Sequence, residues 1–251
     1  HQAYRLEPKK IRFYGNLLDR IVRIGLPAGL QSVMYSLSNI IIQASVNAFG
    51  TDIVAAYTAY GKLDGLYWMM INAFGVSITT FVGQNFGAGK YDRMRRSVRV
   101  CLLMTFGATV LMSGFFLLLG GQLYRLFTDD AEVIALGMQI LRLLVPTYVT
   151  YICIEVLAGA MRGTGDSLIP TLFTLTGVCL LRVVWVMGVA PAYHSLTVVL
   201  LSYPITWTVT SVLFVIYYLK GGWLKRSIGK ARLEAVSYTH LRAHETRHDL
   251  V

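Results

Sequence analysis

Charge is what this sequence has least of. Asp, Glu, Lys and Arg together make up 14% of its 251 residues, against 55% hydrophobic residues. A typical soluble domain is about a quarter charged, so the balance argues against a soluble globular protein. Acidic residues are the scarcer sign: 13 against 23 Lys and Arg, for a net charge of +10. An excess of cations can mark a nucleic-acid binder. Here the cations sit in short clusters between apolar runs rather than on one folded face, as in the loops of membrane proteins, and no nucleic-acid partner is expected. Cysteine is nearly absent. Cys101, Cys153 and Cys179 fall inside apolar stretches without a CxxC spacing, which excludes a disulfide framework. No Walker motif, Ser/His/Asp set or Cys/His set is visible, and Gly163-Thr164-Gly165 follows an apolar helix rather than a strand. Neither an enzyme nor a cofactor or metal site is expected. His1 is neither an initiator nor the start of a signal peptide, so the chain is expected to begin inside a longer protein.

What the sequence has is length without charge. Residues Ile24 to Thr51, Gly65 to Gly89 and Val100 to Tyr124 carry no charge, and His194 alone interrupts Val183 to Leu219 as a titratable group. A helix crosses a bilayer core with about 20 largely apolar residues. The pattern predicts an all-α, polytopic membrane protein whose six-helix bundle fills residues 24–219, with spans at about 24–49, 54–82, 97–119, 133–161, 168–190 and 196–219. Residues 1–23 read as an amphipathic cytoplasmic lead-in and 220–234 as a basic cytoplasmic tail. Residues 235–251 resemble translated sequencing adapter and are expected to be non-native. Their His244-Glu245-Thr246-Arg247-His248 matches H-E-x-x-H, but with no domain around it the string is not read as a zinc site.

The cations support this layout. Seventeen Lys and Arg fall on the side that holds both ends, and Arg125 alone on the other. By the positive-inside rule both ends of this plasma-membrane, multi-pass segment are expected to be cytoplasmic.

Polar groups at membrane depth are costly and usually face a cavity or a partner. Lys62, Asp64, Arg142, Glu155 and Arg182 fall inside expected spans. Lys62 and Asp64 are two residues apart, on different helix faces, so each needs a partner elsewhere. The simplest scheme pairs Glu155 with Lys62 or Arg182, and Asp64 with the other cation. Glu155 and Asp64 then either line an ion-binding cavity or lock helices together. Arg142 lies nearer the outer side and can snorkel. Gln31, Tyr35, Asn39 and Gln43 recur at i, i+4 along span one, a stripe suited to a substrate path or to interhelical hydrogen bonds. Gly61/Gly65 and Gly83/Gly87 are small-xxx-small pairs that would let helices approach closely.

Four stretches carry a resemblance: Gly25-Leu26-Pro27, Asn47-Ala48-Phe49-Gly50, Phe81-Val82-Gly83-Gln84-Asn85-Phe86-Gly87-Ala88-Gly89 and Gly159-Ala160-Met161-Arg162-Gly163-Thr164-Gly165-Asp166. In order and spacing they resemble the multidrug and toxic compound extrusion (MATE) family. The resemblance spans nearly all of residues 11–230 and implies the second half of a twelve-helix transporter, with the N-terminal six helices as the missing partner. It implies export of cationic or amphipathic compounds, driven by sodium or proton entry, from a membrane-lipid environment. Some members hold an acidic residue midway along the helix matching span one, where this chain offers Tyr35 and Asn39. Glu155 is offset in register from the acidic residue of their fourth helix. A flippase for a lipid-linked precursor is the alternative within transport. A non-transporting scaffold or receptor is the alternative outside it, and that reading expects fully paired buried charges and no cavity.

Overall fold

A computed structural model of the chain describes residues 15–229. Most of the expected lead-in, the end of the basic tail and the expected non-native segment lie outside the described residues. Among the described residues all regular elements are helical. In chain order they are α1 (Gly15–Asn47), α2 (Thr51–Gly87), α3 (Tyr91–Tyr124), α4 (Ala131–Gly163), α5 (Leu168–Tyr193) and α6 (Leu196–Leu219). A short helix, α7, follows over residues 222–229.

Five of these, α2 to α6, are long and apolar enough to cross a membrane. At 33 residues α1 has the length, about 50 Å at the helical rise, but nine uncharged polar side chains stand between Gln31 and Asn47. Several helices run beyond the expected spans, as apolar segments do when their ends continue into loops. The outer surface is apolar, inverting the pattern of a soluble fold. Leu103, Leu111 and Leu118 recur along one face of α3 at 72%, 76% and 82% exposure, a surface matched to lipid rather than water.

Local sequence explains where the helices start, break and touch. The Asp130 carboxylate caps α4 by accepting from the Glu132 and Val133 amides at 2.8 and 3.4 Å. Midway along α4, Pro146 lacks an N–H and crowds the preceding turn, and residues Val145–Thr150 tighten into a 3₁₀ segment. Within α5, two stretches widen into π-helix, Leu175–Leu180 and Trp185–Val189, on either side of one α-helical turn, Leu181–Val184. The turn after α4 needs Gly165, whose φ is +86°.

The core forms where α2 packs against α3 and α4, with α6 closing over α4. Tyr67 stacks on Tyr148 with ring centroids 3.9 Å apart, and the Tyr124 hydroxyl donates to the Ala56 carbonyl at 3.2 Å. The close helix approach is not where the expected glycine pairs put it. A Cβ added at Gly61, Gly65 or Gly87 would meet nothing within 4 Å. Gly61 lies on the outward face of α2. The contact runs instead through Gly159 and Gly163 of α4. A Cβ there would stand 3.0 Å from the Gly75 carbonyl and 2.6 Å from the Thr79 carbonyl, respectively. Of the expected pairs, Gly83 alone takes part, opposite the Gly163 carbonyl.

Candidate functional site

Five helices line an open cavity of about 690 Å³, formed by Gln31, Ser32, Tyr35 and Asn39 of α1, Tyr57, Asp64, Trp68, Ile71 and Asn72 of α2, Tyr151, Glu155 and Arg162 of α4, Arg182 of α5, and Tyr203 and Trp207 of α6. Helical periodicity puts these residues together. Tyr57, Asp64, Trp68 and Ile71 follow one face of α2, and Tyr151, Glu155 and Arg162 one face of α4.

The two carboxylates have different surroundings. Asp64 has no cation within ion-pairing distance among the described residues. It accepts from three neutral donors: the Tyr148 hydroxyl at 2.5 Å, the Trp68 indole N–H at 2.7 Å and the Tyr60 hydroxyl at 3.1 Å. Glu155 is paired on its own helix with Arg162, Oε1 to Nη2 at 3.0 Å. The pocket that holds Glu155 exists because Gly75 faces it without a side chain; a Cβ there would land on the carboxylate.

Arg182 is 2% exposed. Its Nη2 donates to the Thr206 hydroxyl at 3.3 Å, and the guanidinium lies over the Tyr203 ring, 4.3 Å from the centroid. Its Nε is buried without an acceptor. Phenols join the walls: Tyr57 to Tyr203 at 2.8 Å between hydroxyls, and Tyr35 to Tyr151 at 3.4 Å. Thr171 of α5 donates to Gln31 at 3.4 Å.

Of the residues singled out from sequence, Gln31, Tyr35, Asn39, Asp64, Glu155 and Arg182 come together in this lining. Gln43 and Lys62 do not. Each four-residue step turns about 40° past a full helical revolution, so Gln43 has rotated about 120° from Gln31; its amide donates to Asn47 at 2.8 Å instead. Lys62, two residues before Asp64, is carried to the exposed face. The expected pairing of Glu155 with Lys62 or Arg182 is not formed, because Arg162 takes the carboxylate first. Arg162 falls just past the expected end of span four at 161, yet α4 continues through it, and its seven-residue spacing from Glu155 is the signal that puts the two on one face. The aromatic walls were also missed, although Tyr57/Tyr60, Tyr148/Tyr151 and Tyr203/Trp207 all recur at helical spacing. Among the described residues no group of three His, Cys, Asp or Glu is placed to hold a metal ion.

Known proteins share this architecture. The MatE family model matches residues 27–187. Among curated relatives, "Probable multidrug resistance protein YoeA" of Bacillus subtilis is 25% identical over 217 residues, covering 84% of this chain and 46% of the relative. "Probable multidrug resistance protein NorM" of Thermotoga maritima is 21% identical over 216 residues, 83% of this chain and 45% of the relative. The chain thus spans about half the length of these relatives. Among solved structures, MATE in complex with MaL6 superposes with a TM-score of 0.77 at 18% identity, over 88% of this chain and 50% of that one. A MOP superfamily transporter from Pyrococcus furiosus, described as having a binding pocket of reverse polarity, gives 0.73 at 18% identity, over 79% and 44%. Matched over more than half its length by the family model and alike in fold to solved transporters, the chain belongs to the MatE family, that of the multidrug and toxic compound extrusion (MATE) transporters.

Proposed function

We propose that the chain is the second six-helix bundle of a twelve-helix antiporter that exports cationic or otherwise amphipathic compounds in exchange for sodium or proton entry. The observation that carries this reading is the cavity. It is bounded by rings that suit an apolar body, and it holds two carboxylates at membrane depth whose surroundings differ. Intramembrane carboxylates that face a cavity commonly carry the coupling ion. The missing N-terminal bundle would close the other side of the path, and rocking of one bundle against the other would alternate access. The cation asymmetry supports both ends of this segment being cytoplasmic. A scaffold or receptor would be expected to pair its buried charges and leave no cavity. The open volume and the Arg182 guanidinium, without a carboxylate partner among the described residues, count against that reading.

Efflux by the complete transporter tests it. With Asp64→Asn or Glu155→Gln, drug export driven by an imposed sodium or proton gradient is expected to collapse while the protein still reaches the membrane. Undiminished efflux with unchanged ion dependence in both variants would remove these carboxylates from coupling.

A further inference from the structure

Arg182 is a buried cation with no carboxylate at ion-pairing distance among the described residues. Both carboxylates that border the same cavity are already occupied: Asp64 by Tyr60, Trp68 and Tyr148, and Glu155 by Arg162. No carboxylate lies within 4.0 Å of the Arg182 guanidinium among the described residues. Its one hydrogen bond reaches the Thr206 hydroxyl, whose own proton is directed at the Ser202 carbonyl, 2.7 Å away. Its other partners are ring faces, those of Tyr203 and Trp207, 4.3 and 6.0 Å from the guanidinium carbon. That leaves a guanidinium 2% exposed, with an orphaned Nε, on the wall of a cavity.

Burying an unpaired charge is among the costliest arrangements available to a protein, and removing it is easy by mutation. Its backbone is also unusual. Arg182 sits on the single α-helical turn between two π-helical stretches of α5, and π turns inside α-helices concentrate at functional sites. The rings of Tyr203 and Trp207 hold the planar group from one side, leaving its N–H edge for an acceptor. A guanidinium in that setting suits a planar or tetrahedral oxyanion, which it can bind through two parallel hydrogen bonds.

We propose that Arg182 is the docking point for an anionic group of the transported compound, a carboxylate, sulfonate or phosphate attached to an aromatic or apolar body that packs on Trp68, Tyr203 and Trp207. This rests on the transport reading and narrows its substrate class: the cargo carries an oxyanion, alone or beside a cationic group.

The test uses three probes with one aromatic body, 2-naphthoate, 2-naphthamide and 2-naphthylmethylammonium, titrated into the complete transporter in nanodiscs. Quenching of the cavity tryptophans and calorimetry report the dissociation constants. Naphthoate is expected to bind about tenfold or more tighter than the amide, the scale of one charged hydrogen-bonded contact. Arg182→Gln should erase the preference for naphthoate over the amide, whatever it does to the affinity for the amide itself, and Arg182→Lys should retain part of it. Equal binding of all three probes by the unaltered protein, or tighter binding of the ammonium, overturns the proposal without recourse to any variant. So does a naphthoate preference that persists in Arg182→Gln. Efflux measured alongside separates the two readings. Export of cationic dyes without a naphthoate preference defeats the oxyanion subsite alone. A naphthoate preference lost in Arg182→Gln, with no export of any compound, keeps the subsite and defeats the transport reading.

Discussion

Replacing Gly163 with alanine puts one methyl group where α2 and α4 touch. The added Cβ would stand 2.6 Å from the Thr79 carbonyl oxygen and 2.9 Å from Val82 Cβ, where ordinary contact starts at 3.4 Å. Neither neighbour is the free end of a flexible side chain, so relief requires the two helices to part by most of an ångström. Overpacking of that kind costs about 1–3 kcal/mol. At roughly 2–4 °C per kcal/mol for a chain of this size, the unfolding midpoint of the detergent-solubilised protein should fall by several degrees. Gly61→Ala is the control. A Cβ there meets nothing within 4 Å, and alanine in a helix interior is more stable than glycine by about 0.5–1 kcal/mol, so its midpoint should hold or rise. Thermal unfolding followed by circular dichroism reads both. Equal midpoints for Gly163→Ala and the unaltered protein, or an equal loss in Gly61→Ala, would refute the assignment of the close contact to Gly159 and Gly163.

Tyr148→Phe removes the 2.5 Å bond to Asp64 and should cost about 1.5–3 kcal/mol, the range for hydrogen bonds to charged groups. The cost should shrink in an Asp64→Asn background, and a double-mutant cycle that finds no coupling would show the bond to be incidental. Asp130→Ala deletes the cap of α4 and should lower stability by about 1 kcal/mol, measured by the same unfolding assay. For topology, single cysteines at Asp129→Cys and Arg226→Cys in a version lacking Cys101, Cys153 and Cys179 should behave oppositely. A membrane-impermeant maleimide should label position 129 on intact cells and position 226 only after lysis, and the reverse pattern would invert the orientation.

The helices were legible because uncharged length is a strong signal: a 25-residue charge-free run such as Val100 to Tyr124 suits a membrane-spanning helix, whose backbone bonds are all satisfied within the segment. Half of the cavity was legible too. Costly charges such as Asp64, Glu155 and Arg182 announce themselves against an apolar background, and Gln31, Tyr35 and Asn39 form a readable row. Partner choice was not. Whether Glu155 meets Lys62, Arg182 or Arg162 depends on helix rotation and on how far α4 extends, and neither is set by spacing within one segment. The tyrosines that surround Asp64 read as ordinary core until the helices are placed. The 3₁₀ break at Pro146 has a visible cause, while the π turns around Arg182 leave no mark in the residue order.

Where α2 and α4 meet, the Gly75 and Thr79 carbonyls face the bare α-carbons of Gly159 and Gly163, and the Thr79 hydroxyl bridges the helices by donating to the Gly159 carbonyl at 3.1 Å. Sliding either helix would press carbonyls and the Ile78 and Val82 side chains into the facing backbone, which favours the pair moving as one unit. If the bundle rocks as proposed, widening of the cavity would fall to its opposite walls, α1 and α5, where the polar row and the wide π turns lie.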